Sequence, residues 1–457
     1  MKKQLQPTYK KVKKSALPFI LVLTFFVFYS SCEAQGFVKV SHTNFVINKN
    51  PYYYVGTNFW YGAYLGADAA YGNRLRLIKE LDQLQKTGVK NLRIATASEE
   101  SDFAYPLNPP FQYKDGHYNE KLLQGLDFLL FEMAKRDMHA VLILNNYWEW
   151  TGGMSEYVSW AMGQNIPDPT KSANVSWDDF MNYSASFYQL KDAQNTYRKF
   201  ISMLVNRVNV YTKKPYKKDP AIMTWELANE PRPSKQGAAG ESMAIFSKWV
   251  DETASFIHAI DPNHLVTTGS EGYMGTLNSW AYTRQAHQSK FIDYVTIHLW
   301  PKNWGWYKAV DPATMEATKI NTLEYINGGI KTARELNKPL VLEEFGFVRD
   351  GDKYEPETTV AARDEFYQFV FQLVQDSIKA KSTLAGVNFW GWGGEGRAMH
   401  ANHQWMIGDT SYVGDPYSEP QGLNSIYNTD SSTLKIISTY AKELEKLSSH
   451  TNQKRNR

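Results

Sequence analysis

"AIMTWELANEP", residues 221–231, sets an unbroken apolar run against two glutamates, an asparagine and a proline. The run is continuous rather than alternating, the pattern of a strand covered on both faces in a parallel sheet. Pro231 has no N–H to give to a ladder, so the strand stops there and leaves Asn229 and Glu230 at its C-terminal end. Alone, the stretch reads equally well as a strand running out into solvent. Seven further runs decide the matter: "YYYVGTNF" (52–59), "NLRIAT" (91–96), "HAVLILNN" (139–146), "HLVTTGS" (264–270), "YVTIHLW" (294–300), "PLVLEEF" (339–345) and "AGVNFWGW" (385–392). Amphipathic stretches with apolar residues three to four apart separate most of them, as in 73–88, 119–138 and 361–380. The signal is weakest between the fifth and sixth runs, where 278–288 is the best helical candidate.

Eight such units predict an α/β fold, a single (β/α)8 TIM barrel with enlarged βα loops over residues 36–450, with a doubly wound sheet as the alternative. A short hairpin, "FVKVSHTNFVIN" (37–48), is expected to close the barrel floor, and residues 451–457 form a polar tail.

The formal charge of +3 belongs to the leader. Six of the 50 basic residues are lysines in the first 14 positions, and Glu33 is the one acid before residue 35, which leaves 44 basic and 46 acidic residues beyond it. A near-neutral body excludes a polyanion binder, so no nucleic-acid partner is expected. The lysines precede "ALPFILVLTFFVFY" (16–29) and then small residues, so 1–34 reads as an export signal. Cys32, the single cysteine, is placed to become a lipidated first residue of a bacterial lipoprotein; cleavage after Ala34 is the alternative. The expected location is therefore secreted, periplasmic or at the cell surface, for a monomer without disulfides.

In such barrels the active site lies at the C-terminal strand ends. Arg93, Asn145, Glu149, Asn229, Glu230, His298, Trp300, Glu344 and Trp390 gather there, and eight of the 14 tryptophans, Trp60 among them, fall at the same rim. Aromatic faces there suit the C–H-rich faces of sugar rings. Strands four and seven lie across the pore, so Glu230 and a glutamate of "VLEEFG" can converge. Two convergent carboxyls are what retaining glycoside hydrolysis needs, one as proton donor and one as nucleophile. Unit charges about 5.5 Å apart interact by about 3 kcal/mol at an effective dielectric near ~20, enough to lift an acid from about 4.3 to about 6. Strand alternation lets only one of Glu343 and Glu344 face the pore, while Glu226, deeper than Glu230, is expected to pair with a buried cation. Arg93 is the candidate cation for the nucleophile, and Asn229 the candidate ligand of a sugar hydroxyl.

"WELANEPR" (225–232) with "LEEFG" (342–346) resembles glycoside hydrolase family 5, a family of retaining (β/α)8 enzymes, over essentially all of 36–450. The resemblance implies Glu230 as acid/base and Glu344 as nucleophile, with Arg93, Asn229, His298 and Trp390 around the cleaved sugar. Arg232 is similar to the β-mannanase branch, as are the segments "GSEGY" (269–273), which holds Glu271, "HLWPKNWGW" (298–306) and "GDPYSEPQG" (414–422). Trp300 departs from the family, which usually has a tyrosine there bonded near the nucleophile.

The expected function is endo-β-1,4-mannanase action on mannan, glucomannan or galactomannan. A β-glucanase on the same scaffold and a non-catalytic glycan-binding surface protein are the alternatives. No cofactor is expected, and no metal: His298, His400 and His403 are too scattered to form a ligand set, and the last two read as solvated loop histidines.

Overall fold

The computed structural model describes residues 36–450, besides residues 1, 4 and 8 of a separate N-terminal unit spanning 1–34. The export signal, Cys32 and the polar tail lie outside the described residues. All eight runs form parallel strands: β1 (Tyr54–Asn58), β2 (Asn91–Ala95), β3 (His139–Ile143), β4 (Ile222–Glu226), β5 (Leu265–Thr267), β6 (Val295–Leu299), β7 (Leu340–Phe345) and β8 (Leu384–Phe389). Every residue in them is buried, which is why they read as continuous apolar runs. Their order around the sheet is β5-β4-β3-β2-β1-β8-β7-β6. At the remaining seam the Asp293 N–H donates to the Val266 carbonyl at 2.8 Å and Thr267 Oγ1 to the Tyr294 carbonyl at 3.0 Å, so the barrel nearly closes.

Local chemistry sets the helix limits. Asn73 and Asn119 accept hydrogen bonds from Arg76 N and Leu122 N, capping the helices Arg74–Thr87 and Glu120–Ala134. Gly88 ends the first of these in the left-handed conformation. The weakly patterned stretch between the fifth and sixth runs is the helix Trp280–His287, capped by Ser279. At the floor, Lys39–Ser41, Asn44–Ile47 and Asn50–Pro51 make a small antiparallel sheet. Its Phe45, with Val38 just ahead of the sheet, packs onto Tyr54, Met223, Tyr294 and Val341 at the lower strand ends. The enlarged loop after β3 carries the helices Gly153–Met162 and Trp177–Ala185, the second started by a capping box between Ser176 and Asp179.

That insertion buries a carboxyl. Glu99 accepts the Gly153 N–H at 2.7 Å while its other oxygen has no partner, and burial pushes it up to about 8. A carboxyl held protonated in the fold but ionising near 4.5 in the unfolded chain stabilises the protein at low pH and loses that contribution as pH rises toward 8. Between pH 6 and 8 the loss is about 2–3 kcal/mol. Glu99→Gln is therefore expected to gain melting temperature relative to the parent as pH goes from 6 to 8; a pH-independent difference would contradict this.

Candidate active site

The barrel mouth brings β4 and β7 face to face, with Arg93 of β2 between them at the centre. All five guanidinium N–H bonds are engaged, the full donor capacity of an arginine. Nε and Nη2 hold Glu226 at 2.8 and 2.5 Å, Nη2 also donates to Asn229 Oδ1 at 2.8 Å, and Nη1 donates to Asn58 Oδ1 at 3.0 Å and to Glu344. Glu226 thus pairs with a buried cation, as its depth suggested. Burial nonetheless pushes it up to about 8, Arg93 offsetting part of that rise.

Strand parity fails at β7. The register with β6 shifts between Leu342 and Glu344, and this bulge turns both Glu343 and Glu344 inward. Glu343 Oε2 lies 3.9 Å from Arg93 Nε and 3.7 Å from His298 Nε2, with no hydrogen-bond partner.

Glu230 stands opposite Glu344, on a backbone with φ of +49°, a left-handed conformation that costs a glutamate of the order of 1 kcal/mol. Its N–H donates to the Gly269 carbonyl at 2.9 Å, which fixes that conformation. Gly269 itself has φ of +73°, and a Cβ there would strike the Ala228 carbonyl and the Glu226 carboxyl. Trp148 Nε1 donates to Glu230 Oε2 at 2.6 Å, and His298 Nδ1 lies 2.7 Å from Glu230 Oε1 and 3.2 Å from Glu344 Oε2. The imidazole overturns the expected lift of Glu230 by its neighbouring carboxylate. Burial acts to raise Glu230, but His298, Arg232 and Trp148 together bring it down to about 2. His298 is correspondingly raised well above 6.5, because Glu344, Glu230 and Glu343 outweigh its burial. These opposed shifts draw the shared proton of the free site toward the imidazole, one hydrogen bond from Glu230.

A cavity of about 760 Å³ opens over Glu230 and Glu344. Trp300 and Trp390 form part of its lining, their rings edge to face at 5.7 Å. Trp300 makes no hydrogen bond to Glu344; Arg93 donates to that carboxyl, and His298 Nδ1 lies 3.2 Å from its Oε2. Trp390 Nε1 is buried without a partner. Asn229 lines the cavity too, with Nδ2 donating to Asn146 Oδ1 at 3.1 Å, so one amide N–H is left for a ligand. Arg232 pairs with Glu271, Nε to Oε2 at 2.6 Å, and its guanidinium sits 4.8 Å over the Trp148 ring. Burial, partly offset by Arg232, pushes Glu271 up to about 7.

Two expected rim residues are elsewhere. Trp60 is 1% exposed and does not line the cavity: its Nε1 donates to the Gly414 carbonyl at 3.1 Å, and its ring packs on Trp150 and Tyr417. Asn145 is also walled off, its Oδ1 accepting the Asn146 N–H at 2.8 Å. His400 and His403 are loop ties rather than solvated side chains, bonded to Asp409 at 3.0 Å and to the Gln421 carbonyl at 2.9 Å. Sequence reasoning missed the lining residues Trp177, which is 44% exposed, and Glu419, although Glu419 lies inside the "GDPYSEPQG" segment.

One atom each of Glu230, His298 and Glu344 lies within 4.8 Å of the others, a spacing a divalent ion would accept. The charges argue against one, since Arg93 already donates to Glu344 and ligation needs a neutral imidazole where these carboxylates favour imidazolium. Activity is expected to survive exhaustive chelation; a loss restored by added metal would contradict this.

Fold and site together define a barrel glycoside hydrolase. The chain belongs to the glycoside hydrolase family 5 β-mannosidase-like proteins, whose family model matches residues 35–449. Mannan endo-1,4-beta-mannosidase 4 of Solanum lycopersicum is 30% identical over 367 residues, 78% of this chain and 83% of that one. Among solved structures, the glycoside hydrolase family 5 mannosidase from Rhizomucor miehei has a TM-score of 0.83 at 34% identity, covering 91% of this chain and 99% of that chain. The endo-1,4-beta-mannanase of the same organism, at 22% identity and a TM-score of 0.66, covers 90% of this chain and 100% of its own and shares the fold.

Proposed function

We propose that the protein is a retaining hydrolase of β-1,4-mannosidic bonds in mannan, glucomannan or galactomannan. The carrying observation is the approach of Glu230 and Glu344, with carboxyl oxygens no more than 4.8 Å apart. That close approach of one oxygen from each fits the near pair of a retaining enzyme better than the wider pair that an inverting enzyme keeps for its water. Glu344 attacks the anomeric carbon and forms a covalent glycosyl ester, while Glu230 delivers a proton to the leaving oxygen. The proton comes from His298 Nδ1 along the 2.7 Å hydrogen bond. Glu344 is the largest influence favouring the imidazolium, so as its charge is consumed in bond formation the proton is released toward Glu230. Glu230, ionised again, then activates the water that hydrolyses the ester.

Mannan as substrate is supported by the names of the curated relatives and by Arg232 with its partner Glu271. Those names also support internal cutting. Cutting from chain ends is the second reading, supported by the 34% identical neighbour, described as a mannosidase. The basic and apolar leader with Cys32 supports export with lipid attachment, which suits a polymeric substrate met outside the cell. Reducing-end release should be rapid on mannan and glucomannan and negligible on carboxymethylcellulose; the reverse order would replace the mannan reading with a glucanase.

A further inference from the structure

The bulge in β7 leaves a carboxyl facing inward with nothing bonded to it. Leu342 pairs with Ile297 of β6 and Glu344 with His298, so Glu343 is the extra residue between two consecutive pairs. Its carbonyl accepts Asn58 Nδ2 at 3.1 Å, and the same asparagine accepts Arg93 Nη1, which ties the bulge to the guanidinium. The Glu343 side chain is wholly buried, and neither carboxyl oxygen has a hydrogen-bond partner. Arg93 Nε is 3.9 Å away, but the N–H groups of that guanidinium already donate to Glu226, Asn229, Asn58 and Glu344. His298 Nε2, 3.7 Å from Glu343 Oε2, is likewise buried without a partner. An unmet acceptor and an unmet nitrogen thus lie side by side, and an approach of about 0.8 Å brings them to ordinary N–H···O length.

We propose that Glu343 is a positioning residue for the proton route: it accepts the Nε2–H of His298 and so leaves Nδ1 as the nitrogen that exchanges a proton with Glu230. This rests on the retaining reading above. A neutral imidazole has one N–H and one bare nitrogen, and a carboxylate beside Nε2 decides which is which. In the first step the Nδ1 proton passes to Glu230 as Glu230 protonates the leaving oxygen, and Nε2 keeps its hydrogen. In the second step the proton that Glu230 takes from water returns to Nδ1 as Glu344 is released from the ester. Without Glu343 the neutral ring is free to carry its hydrogen on Nδ1, where it cannot take that proton back. Burial works against the imidazolium, and Glu344, Glu230 and Glu343 together outweigh it. The other titratable groups acting on the pair are Tyr54 of β1, Arg93 of β2, Glu226 of β4, Glu271 after β5, His287 of the helix before β6, and Tyr294 just ahead of β6. Replacing Glu343 alone leaves all of them in place.

Glu343→Gln keeps the volume and removes the charge. An imidazolium with one anion fewer gives up its proton at lower pH, so the alkaline limb of kcat/KM is expected about 1–2 pH units below that of the parent. Near neutral pH the variant is expected to lose about 30-fold on mannopentaose, whose leaving sugar needs a proton, and less than about threefold on 2,4-dinitrophenyl β-mannoside, whose leaving group does not. Glu343→Asp, which keeps the charge, should return the limb toward its parent position. An unmoved limb, or equal losses on both substrates beside a lowered melting temperature, would make Glu343 a structural partner of Arg93 only and overturn the inference. Ring 15N signals of His298 in the unaltered enzyme, assigned by their absence in His298→Gln, test the same contact without touching Glu343. Nε2 should stay protonated through the titration while Nδ1 releases its proton, and the reverse order would overturn the inference. Sugar released with inverted configuration by the parent enzyme would instead remove the retaining reading itself.

Discussion

Glu344→Ala is expected to lower kcat/KM by about 10⁵-fold, close to 7 kcal/mol of transition-state stabilisation, while glycan binding survives. The side chain is 3% exposed and held by Arg93 and His298, so its removal deletes the attacking atom without opening the barrel. Azide is smaller than the lost carboxymethyl group and can enter from the same side. With a substrate bearing an activated leaving group, added azide is expected to restore turnover and give the mannosyl azide of inverted configuration. Activity in Glu344→Ala within tenfold of the parent would contradict the assigned nucleophile. Loss of activity without azide rescue would leave the residue essential but weaken its role as the attacking group.

Arg93→Met is expected to damage both fold and chemistry. The guanidinium holds Glu226, Glu344, Asn229 and Asn58 together, and every one of these groups is nearly or wholly buried. Removing the cation from a buried pair costs about 3–5 kcal/mol, because the carboxylates left behind have no water to turn to. The melting temperature should fall by about 5–10 °C. In addition kcat/KM should fall about 10³-fold, since Glu344 loses the contact that orients it. Arg93→Lys keeps the charge but has three donors instead of five and cannot span two carboxyls on opposite strands, so it should recover stability more than activity. Thermal melts beside steady-state kinetics test both parts; a fully stable, fully active Arg93→Lys would show that the network is dispensable.

Much of this site is visible in the amino-acid order because burial on both faces writes a strand as a continuous apolar run. Pro231 and Gly346 then mark where two of those strands release their glutamates. What stays hidden depends on distant partners. The inward turn of Glu343 comes from a register shift against β6, and nothing inside "VLEEFG" signals it. Trp60 looked like a sugar platform at the rim, yet its Nε1 finds a carbonyl 354 positions later, at Gly414. Proximity of two carboxylates suggested a raised Glu230; the imidazole of His298 between them reverses the direction. Glu419 belongs to a loop without regular structure, and its place in the cavity follows from how that loop folds over the β8 end.

The central claim is that Glu344 forms a covalent bond to the sugar. A 2-deoxy-2-fluoro-β-mannosyl fluoride slows both steps but leaves a good leaving group, so the ester should accumulate. Peptide mass spectrometry of the inactivated enzyme is then predicted to find one deoxyfluoromannosyl group, on Glu344. A label on any other residue, or turnover with inverted product and no label at all, would contradict the account.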